Sequence, residues 1–300
     1  MSETEVLNFF DYSGETVSCA VFLSGSGTNA EKILEQWKAD SDCSYDITCL
    51  VTERPLSSRA RELSETFAIP LVEHPLKSFY AGHGLESSSL ASEKGREVRA
   101  LWTEALIEKL KPYNVTFGVF AGFVPLCNVT DYFPCLNVHP GDLTVEEDGQ
   151  RVLVGLHTIP VEEAVFREHE SLRTSVIVAS AYSEESGEGM DEGIILGISP
   201  EVDVDLKGLS LEELKSLQAS RPKQRPVGGY ADELEDLMDH NLERLKVGGD
   251  WVVFPQAVAD FAAGKFAYDK TGQLYIRFGK TWKDVKTVVY ERNSKEIIFD

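Results

Sequence analysis

The feature that most limits what this chain can fold into is an alternation near its start. "TVSCAVFLSG" (16–25) is apolar and rich in β-formers, and "TNAEKILEQWKAD" (28–40) follows with Ile33, Leu34 and Trp37 at helical spacing. "DITCLVT" (46–52), "LSSRARELSETFA" (56–68) and "IPLVEH" (69–74) repeat the order strand, helix, strand. Parallel strands need a crossover between them, usually a helix on the sheet face, so the pattern predicts an α/β fold with a doubly wound, mostly parallel sheet. A polar stretch (78–95) precedes a long helix through "REVRALWTEALIEKLK", with Val98, Leu101, Trp102, Ala105 and Leu106 on its apolar side. Two buried strands are expected next, at 115–123 and 134–139.

The second half changes character. "RTSVIVASAYS" (173–183) and "GIILGIS" (193–199) read as adjacent strands joined by the acidic loop "EESGEGMDE". "SLEELKSLQAS", "ADELEDLMDHNLERLK" and "WVVFPQAVADFAAGK" read as helices, the last bounded or kinked by Pro255. The tail from "QLYIRF" onward alternates as strands do and predicts a small terminal hairpin or subdomain. Residues 1–205 are thus expected to form an α/β core, and 206–300 an extension of helices returning to that core with a small β element.

Charge and cysteine usage narrow the function. With 29 basic against 50 acidic residues the formal charge is −21, which repels nucleic acid and anionic membrane, and no basic patch overrides it. The five cysteines include no C-x-x-C pair and are odd in number, so neither a disulfide framework nor a metal site is expected. The N-terminus lacks a basic segment followed by an apolar core, and no apolar run reaches membrane-spanning length. A cytoplasmic protein, monomeric or homodimeric, acting on small molecules is the expectation.

Three short motifs carry chemistry. In "CLNVHPGDL" (135–143), a strand ending at His139 places Asn137 and His139 on one face, where the chain turns at once through Pro140 and Gly141. An isolated N-x-H-P is more often a strand end whose histidine bonds to nearby backbone. "SGSGTN" (24–29) joins a strand to a helix, where backbone N–H groups and the helix dipole favour an anion. It is neither a dinucleotide fingerprint nor a P-loop, and an ordinary turn with Thr28 or Asn29 capping the helix would explain it equally well. "EGMDEGIIL" (188–196) puts Asp191 just before an apolar strand, which by itself reads as an acidic surface turn.

Taken in order, "VFLSGSGTN", "FAGFVPLC", "LNVHP", "GLHT" (155–158), "RTSVIVAS" and "MDEGIIL" resemble the motifs of the 10-formyltetrahydrofolate-dependent formyltransferases, most closely the branch acting on glycinamide ribonucleotide. The resemblance runs from about residue 16 to about residue 200, and "WVVFPQAVADFAAGKF" looks like the family's final helix. It implies transfer of a formyl group from 10-formyltetrahydrofolate to a phosphorylated amine in purine synthesis, with no metal. Such a transfer passes through a tetrahedral species with a negative oxygen and needs donors aimed at it. Asn137 would donate without titrating, His139 would donate and move protons near neutrality, and Asp191 would orient the imidazole and relay a proton. The resemblance assigns the substrate phosphate to Ser26, Gly27, Thr28 and Asn29. Gly122, Pro140 and Asp250 would complete the acceptor's surroundings, with Asp250 at an acidic ribose-binding position. The folate would lie along "AGFVPLC", with Phe123 and Val124 packing on it and the backbone at Cys127 meeting the pteridine edge.

The departures bear on the acceptor. Where the family runs from N-x-H-P to G-x-x-T through a short loop, this chain has the longer, acidic "GDLTVEEDGQRVLVGLHT". Pro125 stands where relatives carry an arginine that contacts the folate's glutamate tail, and Arg151, Arg221 or Arg225 could stand in for it. The loop before Asp191 is enlarged and 210–229 is an added segment. A sugar-nucleotide amine or water as acceptor, or a folate-binding regulatory protein without turnover, are the rival readings.

Overall fold

The computed structural model describes residues 5–182, 190–226 and 228–299; residues 184–189 of the acidic loop lie outside them. The expected alternation is present as β1 (Val17–Phe22), α1 (Thr28–Ala39), β2 (Tyr45–Thr52), α2 (Ala60–Phe67) and β3 (Leu71–Glu73). There follow α3 (Leu76–Gly82), α4 (Glu93–Leu110), β4 (Phe117–Phe120), β5 (Cys135–His139), α5 (Ile159–Phe166), β6 (Ser175–Val178) and β7 (Ile195–Ile198). The remaining elements are α6 (Leu211–Ser220), α7 (Glu233–Leu245), α8 (Trp251–Ala262), β8 (Phe266–Tyr268), β9 (Leu274–Phe278), β10 (Thr281–Asp284), β11 (Thr287–Tyr290) and β12 (Lys295–Ile298).

Nine strands form one sheet in the order β12-β11-β7-β6-β5-β4-β1-β2-β3. Only β6 and β12 run against the others. Both faces are covered, which is why its central strands are mostly apolar, with Ser18 in β1 and Asn137 and His139 in β5 among the exceptions. Along β1 the side chains alternate between two cores. Cys19 and Val21 join Ile33 and Leu34 of α1 and Val253 and Ala257 of α8. Ala20 and Phe22 join Tyr80 of α3 and Val98, Trp102 and Leu106 of α4. A third cluster links α5, α6 and α7 through Val161, Leu214, Leu237 and Met238.

Several expectations need correction. The tail forms antiparallel hairpins as expected, but they extend two sheets: β11 pairs parallel with β7 and carries β12 onto the edge of the main sheet, while β8, β9 and β10 join the short Leu7–Asn8 strand in a second, four-stranded sheet. The burial of Val288 and Tyr290 in the main core explains the switch. Pro255 neither bounds nor ends its helix, which continues to Ala262. It sits in the second turn of α8, where its missing N–H removes a single hydrogen bond, and a π-helical turn at Lys246–Asp250 precedes the helix. Leu101, placed on the apolar side of α4, is 44% exposed. Helices α3 and α5 were not anticipated, although Pro160 at the second position of α5 suits a helix start.

Candidate functional site

Strand order reverses direction between β1 and β4, and in such sheets the crevice beyond the carboxyl ends of those strands is where ligands bind. The two loops leaving them are tied together: the Ser24 N–H donates to the Gly122 carbonyl at 3.3 Å, and the Val124 N–H donates to Ser24 Oγ at 2.9 Å. Gly27 is the N-cap of α1 at φ 65°, and a Cβ there would come within 2.9 Å of Leu23 Cδ1, so both conformation and packing call for glycine. Neither Thr28 nor Asn29 caps the helix, contrary to the simpler reading of the loop. Arg59 flanks it, donating to the Ser26 carbonyl at 3.2 Å and pairing with Glu31.

Asn29 instead donates through Nδ2 to Asp250 Oδ2 at 2.9 Å, and Thr174 Oγ1 donates to Asp250 Oδ1 at 2.6 Å. Asp250 is buried at the end of the π-helical turn, and burial pushes its carboxyl above the usual range. The first turn of α1, the residue ahead of β6 and the α7–α8 junction therefore meet on one carboxylate.

Asn137 and His139 lie on β5 as expected, opposite Ile177 and Ser175 of β6. His139 is 2% exposed, and Nε2 lies 2.7 Å from the Leu153 carbonyl. A carbonyl only accepts, so Nε2 carries a proton and Nδ1 is the nitrogen left for chemistry. Nδ1 faces Asp191 Oδ1 at 3.5 Å, beyond ordinary hydrogen-bonding length. Asp191 reaches there from a 3₁₀ turn at Met190–Glu192, ahead of β7.

The longer segment after N-x-H-P is a small hairpin whose strands, Glu146–Glu147 and Gln150–Arg151, flank Asp148 and Gly149 at φ 51° and 75°. Positive φ at both turn residues is what a two-residue Asp-Gly turn demands. Arg151 Nη1 donates to the Asp191 backbone carbonyl at 2.6 Å, and burial lowers the guanidinium's pKa from its ordinary value. Two residues on, Leu153 supplies the carbonyl that holds His139. Gly141 makes that contact possible, since a Cβ there would lie 2.5 Å from the Leu153 oxygen and 3.0 Å from His139 Nε2. Ser175 Oγ donates to the Gly141 carbonyl and accepts from the Leu143 N–H, fixing the turn.

On the folate-assigned side, Phe123 is turned inward, 9% exposed and stacked on Phe120, so its ring offers no free face. Val124, 47% exposed, is the outward apolar side chain. Cys127 is buried, with its thiol pushed up to about 12 by burial, and it lines a cavity of about 460 Å³ with Leu126, Tyr132, Tyr182 and the α4 arginines Arg96 and Arg99. Pro140 lines a smaller cavity on the other side of β5. Ser26 and Gly122 are exposed on the rim.

Sequence reasoning missed Leu153, Thr174 and Glu53, and placed Arg151 only as a stand-in for the tail-binding arginine. The Asp-Gly pair announced the hairpin, but a backbone carbonyl has no signature in side-chain pattern. Glu53 follows β2 and is 4% exposed; among the described residues neither of its carboxylate oxygens has a hydrogen-bond partner, though Arg54 Nε lies 3.2 Å away. No group of three or more metal-ligating side chains is clustered, and no helix is long and apolar enough to cross a membrane, among the described residues.

No protein-family model and no curated protein matches the sequence. Solved structures do. The chain is 17% identical to the phosphoribosylglycinamide formyltransferase of Anaplasma phagocytophilum over 92% of its own length and 100% of that chain, at a TM-score of 0.57. It is 18% identical to the Coxiella burnetii phosphoribosylglycinamide formyltransferase over 87% and 94%, at 0.56. A formyltetrahydrofolate deformylase from Pseudomonas syringae pv. tomato is 12% identical over 96% and 67%, at 0.51. The chain has the α/β fold that these structures share.

Proposed function

We propose that this protein transfers a formyl group from 10-formyltetrahydrofolate to the primary amine of glycinamide ribonucleotide. The observation that carries the reading is the meeting of a tautomerically fixed His139 with Asp191, more than fifty residues away in the chain, at the end of the strand that also carries Asn137. Bound folate supplies the activated formyl group, and the chain's residues do the rest. The Asn137 amide donates to the oxygen that becomes negative as the amine adds. His139 Nδ1, unengaged in its neutral form, takes the proton the amine releases, and the Asp191 carboxylate stabilises the resulting cation. The proton then passes to the departing folate nitrogen. The residues fit the group: Val124 and the cavity beyond Cys127 offer an apolar wall with polar rims, as a pteridine and its benzoyl arm require.

The uncapped start of α1 suits an acceptor phosphate, with Asn29 and Asp250 below it for hydroxyl groups. A panel of acceptors tests the whole reading: glycinamide ribonucleotide, an amino-sugar nucleotide, and water alone. Turnover with glycinamide ribonucleotide, reduced at least about a hundredfold in His139→Ala and Asp191→Asn with folding intact, is the expected result. Release of formate at the same rate with and without an amine would instead make the protein a hydrolase. No turnover with any acceptor would make it a binding protein.

A further inference from the structure

The segment that departs most from the short loop of the resembling family is built into the site. It runs from the turn at Gly141 through the hairpin to Leu153, and it touches both members of the proton-handling pair. Arg151 grips the backbone of the turn that carries Asp191, and the Leu153 carbonyl grips the far nitrogen of His139. The hairpin is held from outside as well, because Arg167 at the end of α5 pairs with Glu147 on its first strand and with Glu163 on its own helix. An arginine spent on a backbone carbonyl, half-buried among Glu146, Asp191 and Glu192, loses solvation for a contact a surface loop does not need. The carbonyl it holds belongs to the residue whose carboxylate faces His139.

We propose that Arg151 is a positioning residue for the formyl-transfer step: the Asp-Gly hairpin fixes the distance between Asp191 and His139 Nδ1, so that the carboxylate stands ready to stabilise the ring once Nδ1 takes a proton without crowding that nitrogen beforehand. At 3.5 Å the carboxylate leaves Nδ1 free to accept a proton. A turn free to drift inward would crowd the carboxylate onto Nδ1 and hinder the proton's entry, while one drifting outward would lose the stabilisation. The proposal rests on the functional reading above, and its test has an arm that does not.

That arm is amide hydrogen exchange at Glu192, Gly193 and Ile194. It should quicken at least about tenfold in Arg151→Ala, while exchange in β1 and β4 is unchanged. Unchanged exchange at all three residues overturns the proposal whatever the enzyme does. In the activity arm, Arg151→Ala should lower kcat at least tenfold with the KM for either substrate within about twofold. In the Asp191→Asn background the same change should cost less than twofold, because the group it positions is gone. Millimolar guanidinium should restore part of the loss in Arg151→Ala. A full additional loss in the double variant, or a KM effect with kcat intact, would make Arg151 merely structural or substrate-binding. If wild-type protein transfers no formyl group, the functional reading fails and the exchange result still decides whether the hairpin holds the Asp191 turn.

Discussion

Replacing Gly141 by alanine adds one methyl group at the tightest point of the site. Its Cβ would sit 2.5 Å from the Leu153 carbonyl oxygen, 3.0 Å from His139 Nε2 and 3.1 Å from Pro160 Cβ. Carbon and carbonyl oxygen ordinarily approach no closer than about 3.3 Å, so the oxygen must retreat by about 0.8 Å. The three distances make a nearly equilateral triangle, so the His139 Nε2 bond, 2.7 Å in the native protein, would lengthen to roughly 3.1–3.2 Å, the weak end of the hydrogen-bonding range. Overpacking of this kind costs about 1–3 kcal/mol, offset by the ~0.4–1 kcal/mol that alanine contributes by restricting the unfolded chain, so stability should fall by about 1–2 kcal/mol. Activity should fall further than stability implies. The contact that fixes the ring's tautomer is weakened and the ring itself is pushed by about 0.3 Å, and since a displacement of about 1 Å costs roughly a hundredfold, a loss of about tenfold is expected. Urea unfolding followed by tryptophan fluorescence and initial rates followed by folate absorbance measure the two effects. A variant with a wild-type urea midpoint and kcat within about threefold would refute the claim that the Leu153 carbonyl sets the working nitrogen of His139.

Three further outcomes are expected. Burial raises the Glu53 carboxyl above its ordinary range, so the folded protein holds that proton more tightly than the unfolded chain does; the contribution is full at low pH and is lost as pH rises through the folded value. Glu53→Gln should therefore be more stable than wild type by about 1 kcal/mol at pH 7.5 and show almost no gain at pH 4, and an equal gain at both would be inconsistent with the buried charge. Inorganic phosphate should slow amide exchange at Thr28, Asn29 and Ala30 if the start of α1 receives the acceptor phosphate, and protection confined to other segments would remove that assignment. Arg221 is held by Glu162 and Asp232, and Arg225 by Glu235, so neither is available to a polyglutamate tail. The KM values for mono- and triglutamylated folate should then differ by less than about tenfold, or roughly 1.4 kcal/mol, and a larger preference abolished by Arg151→Ala would show that the hairpin recognises the tail.

What could be read in advance divides along a physical line. The alternation of strands and helices through residue 74 was legible because short, largely apolar β-branched runs such as β1 and β2 alternate with segments of helical periodicity, a combination that calls for a covered parallel sheet. Asn137 and His139 were legible as a pair because strand alternation is local. Asp191 was placed by the ordered resemblance, since nothing in its own neighbourhood distinguishes it from a surface carboxylate. The strands of the tail were legible, but the sheet they join was not, because their alternation is equally compatible with a free hairpin and with an edge of the main sheet. The burial of Tyr290 against Asp260 of α8 decides between them, through a hydrogen bond of 2.9 Å across thirty residues.

The least legible parts of the site are those in which a polar group is matched by backbone rather than by another side chain. His139 meets the Leu153 carbonyl, Arg151 meets the Asp191 carbonyl, and Arg99 meets the Leu126 and Ser88 carbonyls beside the folate-assigned loop. Every residue owns a carbonyl, so such contacts leave no residue-type pattern, and they arise only once the fold has fixed two loops against each other. They leave a steric trace instead. At Gly141 the space for a side chain is already filled by the carbonyl that holds the histidine. A glycine with an ordinary backbone conformation beside a functional side chain therefore has a meaning that a glycine in a turn does not. It marks a close approach of backbone to a reacting group, and substituting it probes that approach without removing any chemical group.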